Sequence, residues 1–175
     1  MVHFVDMADI KYPYMPAGRT VLYVPADNPF IVEAKEFARQ NNTIRHVGAA
    51  LVVKDGRIIG RGSAGAGYHG ELDPTTGKER GCTREKMNVP TGTGYELCEG
   101  CAYKYHSEAL AIADAKNNGG DTQGADLYLW GHWWCCEPCW NAMKEAGIKD
   151  VYLLEGSERL FNKEHPDNII GHQFG

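Results

Sequence analysis

Two short motifs, each standing where a helix is predicted to begin, most constrain the fold of this chain. The first is His-Ser-Glu at residues 106–108, and the second is Cys-Glu-Pro-Cys at residues 136–139. Each opens a segment with helical character, 106–118 and 136–147, and a β-rich run, 125–131, lies between them. If the two helix starts lie side by side at one end of a sheet, the motifs meet in space.

The residues that would meet there suit zinc. Cys136 and Cys139 are three residues apart and therefore lie on one face of a helix. With His106 they form a set of three nitrogen and sulfur ligands, which leaves a fourth tetrahedral position for water. Zinc lowers the pKa of such a water to about 7, so hydroxide is available at neutral pH.

Glu108 follows the first predicted ligand by two residues and is expected to face the cavity. A carboxylate beside a metal-bound water can take its proton and pass it to a substrate. The two motifs together therefore predict a zinc-dependent hydrolytic centre with Glu108 as its proton carrier.

Either motif alone would be compatible with a simpler role. A lone His-x-Glu is usually surface or capping decoration, and a Cys-x-x-Cys pair in a cytosolic chain can be redox-active or half of a structural zinc site. The conjunction favours the catalytic interpretation, because both motifs begin helices and Pro138 lies inside the cysteine pair.

The remaining pattern predicts one mixed sheet with helices packed on it. Asn28 and Pro29 cap a first helix, and residues 47–62 form two β-rich runs joined at Asp55-Gly56, a hairpin signal. A last strand spans residues 149–156. The 175 residues fit one domain, with an N-terminal extension (1–20), an insertion (63–104) and a C-terminal tail (157–175). The extension could be an arm onto a neighbouring subunit.

The insertion is too long to stay without structure in a compact domain unless it is functional or clamped. Cys82, Cys98 and Cys101 lie in it and could supply three thiolates to a second metal, with His69 as a candidate fourth ligand. The alternative is that these cysteines are reduced and buried, acting as small hydrophobic residues.

Charge and composition exclude some classes of protein. The net charge of −5 argues against a general nucleic-acid binder. The first twenty residues lack a secretory signal pattern, and no run approaches the roughly 20 apolar residues of a membrane span. We therefore expect a cytoplasmic protein whose six cysteines are reduced or bind metal.

The motifs resemble those of the zinc-dependent cytidine and deoxycytidylate deaminase superfamily. The resemblance covers roughly residues 28–155 and includes "VGAALVVKDGRIIGRG", "HSEALAI", "CCEPC" and "NAMKEAGIKDVYLLE". It implies a three-layer α/β/α sandwich with a mixed sheet. It also implies His106, Cys136 and Cys139 as zinc ligands, Glu108 as the proton shuttle, and a homo-oligomer.

The stretch "GCTREKMNVPTGTGYELCEGCAYKYHSEALAI" is most similar to deoxycytidylate-deaminase-like proteins, some of which hold a second zinc there. The resemblance thus implies a small-molecule nucleotide substrate, dCMP first. Two positions depart from the family pattern. Cys135 stands where Pro is usual, and Ala64 stands near the place of a substrate-binding Asn.

Further substrate contacts are expected around the predicted centre. Trp133 and Trp134 have flat faces that suit a heterocycle, and His132 lies close by in the chain. Arg84, with Arg80 and Lys86, could meet a 5′-phosphate; core packing and a solvated loop are the alternatives.

Other functions remain open at this point. One is the same chemistry on another ring: cytidine, a free base such as guanine, a pterin or triazine-like ring, or adenosine in tRNA. Others are a non-catalytic zinc-binding module and a thiol redox protein. The carboxylate of Glu108 argues against the module, because a structural zinc has no need of it.

Overall fold

The computed structural model describes residues 11, 13–41, 48–65, 68, 69 and 71–175. Five strands form one mixed sheet in the order β1-β5-β4-β2-β3. Strands β1, β5 and β4 run parallel, and β2 is antiparallel to both of its neighbours. The strands are β1 (Val21–Val24), β2 (Ala49–Lys54), β3 (Arg57–Ser63), β4 (Asp126–Trp130) and β5 (Val151–Leu154).

Helices cover both faces of this sheet. They are α1 (Pro29–Asn41), α2 (Thr83–Lys86), α3 (Ser107–Asn117), α4 (Glu137–Glu145) and α5 (Ser157–Phe161). The predicted helices and strands are all present, and β1, α2 and α5 are additional. Three short 3-10 turns at 95–97, 99–101 and 103–105 lead into α3.

Alternating side chains of the strands build a core on each face. On one face Val52, Leu127 and Leu129 pack with Trp140 and Met143 of α4 and with the buried side of α3. On the other face the intervening strand residues pack with α1 and with Phe161 of α5. Two helical layers around one sheet confirm the expected α/β/α sandwich.

Local sequence signals correctly predicted the start of α1 and the hairpin between β2 and β3. The Asn28 side chain accepts hydrogen bonds from the backbone N–H groups of Phe30 and Ile31, at 3.0 and 3.3 Å, and so caps α1. Asp55 and Gly56 both adopt positive φ, +49° and +73°, as a two-residue hairpin turn between β2 and β3 requires.

Both ends of the chain pack on the domain where the structure describes them. Phe174 of the C-terminal tail stacks on Trp130, with ring centroids 5.3 Å apart. In the extension, Tyr14 packs against the core face of α3 and α4, and Arg19 donates a hydrogen bond to the carbonyl of Ile148. Residues 1–10 and 12 of the predicted extension lie outside the described residues.

Within the described ranges, the structure contains no helix with the length and apolar content that crossing a membrane would require.

Candidate metal centre and active site

The site lies at the end of the sheet where strands β3 and β4 end and strand β2 begins. Ala49, the first residue of β2, pairs with the last residue of both neighbours. The N–H of Ala64 donates to the carbonyl of Gly48 at 2.9 Å. On the other side, a Cβ atom added at Gly48 would lie 2.4 Å from the His132 ring. The sheet register thus places Ala64 and His132 on either side of Gly48.

The two motifs begin their helices in the same way. His106 and Cys136 are the N-cap residues of α3 and α4, with extended backbone angles, whereas the sequence pattern predicts them in the first turn. Glu108 and Cys139 follow within the first turns. The side chains of His106 and Cys136 meet where α3 and α4 begin.

His106, Cys136 and Cys139 form a compact three-ligand cluster. The Nδ1 atom of His106 lies 3.4 Å from each of the two sulfur atoms. All three ligand atoms lie within 4.8 Å of one another. Tetrahedral zinc with usual bond lengths would separate its nitrogen and sulfur ligands by about 3.5 Å. The donor set and its spacing therefore fit zinc without rearrangement.

Interactions inside the cluster set its protonation. The hydrogen bond with Cys139, with further help from His106, lowers the pKa of Cys136 to about 6 despite burial. Burial alone would lower the pKa of His106, but the hydrogen bond to Cys136 and its charge raise it. The hydrogen bond to Cys136, reinforced by burial, raises the pKa of Cys139 well above its usual value. Metal binding near neutral pH must therefore displace protons.

Glu108 is buried beside this cluster. Only 4% of the residue is exposed, and its Oε2 accepts a hydrogen bond from the Ser107 hydroxyl at 3.1 Å. Its negative charge, after burial itself, contributes to the raised pKa of the neighbouring Cys135 thiol. Cys135 is fully buried and belongs to the core.

A second cluster, consisting of His69, Cys82, Cys98 and Cys101, lies in the insertion. The His69 Nε2 atom is 3.4 Å from the Cys98 sulfur and 3.9 Å from the Cys101 sulfur. The sulfur atoms of Cys82 and Cys101 are 3.4 Å apart. All four residues are buried, and their ligand atoms lie within 4.8 Å of one another.

Two glycines make room for His69 in this second cluster. A Cβ atom at Gly100 would lie 2.5 Å from its Nε2, and one at Gly65 would lie 2.6 Å from its Nδ1.

The two clusters differ in the number of ligands that they offer. Four protein ligands close a tetrahedral site, as in structural zinc sites, whereas three leave a position open, as in catalytic ones.

A cavity of about 950 Å³ opens over the three-ligand cluster. The predicted contact residues Ala64, Arg84, His132, Trp133 and Trp134 all line this cavity together with Glu108. A volume of this size lies within the range of small-molecule sites. The segments that carry the predicted contacts therefore lie around one cavity.

Sequence reasoning missed the contribution of the C-terminal tail to the site. The residues that it adds to the cavity wall are Phe161, Lys163, Glu164 and Ile170. The apolar pattern of Leu160, Phe161 and Ile169, Ile170 is a signal that could have indicated packing, but it does not show against which surface.

Arg84 is a predicted phosphate ligand, but most of its hydrogen-bond donors bind other groups of the insertion. Its Nε donates to the carbonyl of Thr93 at 3.0 Å and its Nη2 to that of Pro90 at 3.1 Å. The guanidinium also lies 4.0 Å from the ring centre of Tyr95. Arg80 pairs with Glu71 instead, at 3.6 Å.

Comparison with known families agrees with this geometry. The model of the cytidine and deoxycytidylate deaminase zinc-binding region matches residues 26–155, about three quarters of the chain. The chain belongs to this family. Its members bind zinc, and this deaminase accordingly is a hydrolase acting on a carbon–nitrogen bond. The search of curated proteins found no match.

Solved deaminases show a distant likeness. The dCMP deaminase of cyanophage S-TIM5 in apo form is 21% identical, with a TM-score of 0.46, over 71% of this chain and 78% of that one. The structure of the dCMP deaminase of cyanophage S-TIM5 in complex with dCMP and dUMP is 20% identical, with a TM-score of 0.42. The match covers 73% of this chain and 81% of that one.

The bifunctional diaminohydroxyphosphoribosylaminopyrimidine deaminase/5-amino-6-(5-phosphoribosylamino)uracil reductase of Thermotoga maritima is 25% identical, with a TM-score of 0.41. The match covers 71% of this deaminase but only 28% of that longer chain. The family assignment rests on the sequence match over residues 26–155.

Proposed function

We propose that this deaminase converts a cytosine nucleotide to the corresponding uracil nucleotide and ammonia. The substrate that we propose is dCMP. The observation that carries the proposal is the cluster of His106, Cys136 and Cys139 beside the buried carboxylate of Glu108, at the floor of one cavity. The insertion, which is similar to that of deoxycytidylate-deaminase-like proteins, forms a wall of the same cavity.

The three ligands would hold one zinc ion and leave its fourth position facing the cavity. Zinc bound there supplies hydroxide at neutral pH by lowering the pKa of a water ligand. His106, Cys136 and Cys139 are anchored by α3 and α4, so they would hold the ion beside Glu108.

Glu108 carries the protons of the reaction in this proposal. Its Oε2 accepts a hydrogen bond from the Ser107 hydroxyl, which fixes the orientation of the carboxylate. The carboxylate takes one proton from the nucleophilic water and delivers it to ring N3. Once the water oxygen has bonded to C4, the carboxylate takes the proton of the new C4 hydroxyl and delivers it to the amino group, which leaves as ammonia while C4 becomes a carbonyl.

The cavity wall offers groups for both parts of a nucleotide. Trp133 and Trp134 supply aromatic surface near the metal for a flat ring. Lys86 and Lys163 supply positive charge, from the insertion and from the tail. Lys163 makes no ion pair within the described part of the chain, so its charge is available to a phosphate.

A second zinc is proposed at His69, Cys82, Cys98 and Cys101. A closed set of one imidazole and three thiolates is typical of structural sites. Bound metal would clamp the insertion, which forms much of the cavity wall.

The same chemistry on another ring is the second candidate. Ala64 lines the cavity near the position where the family resemblance leads one to expect Asn. Its methyl group offers no hydrogen bond, so ring contacts must come from other groups, such as His132 or the backbone.

A homo-oligomer is also proposed. Leu22 and Tyr23 of the edge strand β1 and Val32 of α1 are large apolar side chains left exposed, which supports contact with another copy. Light scattering after size-exclusion chromatography measures the number of chains.

The test is ammonia release from a panel of substrates by protein with measured zinc content. The panel contains dCMP, CMP, deoxycytidine, cytosine, guanine, a pterin, an aminotriazine and a tRNA adenosine substrate. Preference for dCMP supports the proposal, and turnover of another ring without dCMP turnover contradicts its substrate. Full zinc with no ammonia from any compound would indicate that the substrate is a ring outside this panel.

A further inference from the structure

Cys101 touches both clusters, through different atoms. Its sulfur belongs to the second cluster, 3.4 Å from Cys82. Its backbone carbonyl accepts a hydrogen bond from Nε2 of His106 at 3.1 Å. The ring of His106 therefore spans the distance from one cluster to the other, with Nδ1 toward Cys136 and Cys139.

This hydrogen bond selects the form of His106 that can bind metal. A neutral imidazole carries one proton, and donation from Nε2 leaves the lone pair on Nδ1, the atom that faces the two sulfurs. The carbonyl also fixes the orientation of the ring. Hydrogen bonds of this kind to metal-bound histidine orient the ligand and make it a better donor.

The chain between the two residues is short and tightly hydrogen-bonded. The N–H of Tyr105 donates to Ala102 and that of His106 to Tyr103, both at 2.9 Å. The N–H of Cys101 donates to the carbonyl of Cys98 at 3.0 Å. A displacement of Cys101 is therefore passed to His106 over five residues, both through the backbone and through the ring.

We propose that Cys101 is a positioning residue and that occupancy of the second cluster by metal prepares His106 to bind the catalytic metal. With metal in the second cluster, the sulfur of Cys101 is fixed and its carbonyl is held at the right place. Without it, the carbonyl loses this anchor. Binding at the two clusters is then coupled, and the coupling must act equally in both directions. This inference rests on the proposed metal sites.

The test compares Cys98→Ser with Lys104→Ala. Cys98→Ser removes one ligand of the second cluster and leaves Cys101 and the catalytic ligands unchanged. Lys104 lies in the turn between Cys101 and His106, is 60% exposed and touches neither cluster, so it controls for changes in this segment. Chelator competition measures zinc affinity at the catalytic cluster, and long-range ¹H–¹⁵N spectra report the His106 Nε2–H group.

We expect Cys98→Ser to bind one zinc, with affinity roughly ten- to a hundredfold weaker than the catalytic site of the unchanged protein. The His106 Nε2–H signal should shift and exchange faster with water. Lys104→Ala should match the unchanged protein in both readouts. Unchanged affinity and an unchanged signal in Cys98→Ser would overturn the proposal.

Two further measurements keep the proposal testable if Cys98→Ser does not fold. Gly100→Ala presses on Tyr68 and His69 and changes no cysteine, so it should weaken the same affinity to a smaller degree. In the unchanged protein, native mass spectrometry during zinc addition should show few singly loaded chains; a statistical distribution argues against coupling.

The outcomes separate this inference from the proposed function. If the protein binds a single zinc at the catalytic cluster and releases ammonia, the coupling is wrong and the deaminase proposal stands. If the catalytic cluster binds no zinc, the proposed function itself fails.

Discussion

The backbone of Gly62 approaches α3 so closely that a Cβ atom there would lie 2.3 Å from the carbonyl oxygen of Ser107. Gly60, two residues earlier in β3, lies as close to Ala111 one turn further along the helix. These contacts seat the start of α3 on the sheet. They thereby set the position of His106 and Glu108 relative to α4.

Gly62→Ala should therefore lower stability and disturb the metal centre together. We expect a loss of about 1–3 kcal/mol in the free energy of unfolding, because the helix must move away from the strand. Urea unfolding measures this loss, and chelator competition measures the accompanying loss of zinc affinity.

The control is Arg61→Ala, between the two glycines. Arg61 is exposed and its side chain makes a 3.5 Å ion pair with Glu33, so its removal should change stability by less than about 0.5 kcal/mol. Equal losses of stability and of zinc affinity in Gly62→Ala and Arg61→Ala would show that the close approach of β3 and α3 does not position the metal centre.

Glu108→Gln should abolish most activity while leaving zinc content and stability near those of the unchanged protein. An amide keeps the shape of the side chain but cannot carry protons, and such carriers contribute about 10²- to 10⁴-fold to rate. Ammonia release gives kcat, and atomic emission gives zinc per chain.

Glu137→Gln is the matched control for that experiment. Glu137 also lies in the first turn of a helix, next to the ligand Cys136, but it interacts with Tyr14 and not with the cavity. Its replacement should leave kcat within a few fold. A large loss in this control, or full activity of Glu108→Gln, contradicts the proton-carrier role.

The predictable part of the fold followed from local signals. Asn28 before Pro29 marks the start of α1, and Asp55-Gly56 marks the hairpin, because each depends on a few neighbouring backbone groups. The spacing of His106, Cys136 and Cys139 indicated a cluster because two helix starts separated by one strand have few ways to pack.

The parts that sequence did not predict depend on distant partners. Strand β1 is only four residues long, and its pairing with β5 joins residues 130 positions apart. The tail enters the cavity wall through packing on Trp130 and its neighbours, which no local pattern encodes. The link between Cys101 and His106 needs the atomic path of the chain, since the motifs show only spacing.

Zinc affinity at the catalytic cluster should rise with pH between about 6 and 9. The raised pKa of Cys139 means that its thiol keeps a proton in the metal-free protein, and the raised pKa of His106 favours a second one. Cys136, with a pKa of about 6, has lost its proton over most of this range. Metal must displace the remaining protons, so affinity falls as pH falls.

Calorimetry in two buffers with different ionisation enthalpies counts the protons released. We expect about one to two per zinc at the catalytic cluster at pH 7, measured on protein whose second cluster is already filled. An affinity that does not change with pH would contradict this protonation scheme.

Lys163→Gln should raise the KM for dCMP about tenfold and leave kcat and the turnover of deoxycytidine unchanged. Lys163 lines the cavity from the tail and is neither a predicted zinc ligand nor the proton carrier, so its charge can serve the phosphate. Loss of one charge-assisted contact of about 1.5 kcal/mol corresponds to roughly a tenfold change in KM.

Lys149→Gln is the control, because Lys149 carries the same charge but lies at the opposite end of the strands, just before β5. Its Nζ lies 3.9 Å from the carboxylate of Asp150. It should leave KM for both substrates unchanged. An equal rise in KM for dCMP and deoxycytidine in Lys163→Gln would mean that the tail shapes the ring site. No rise for either would contradict the phosphate role of Lys163.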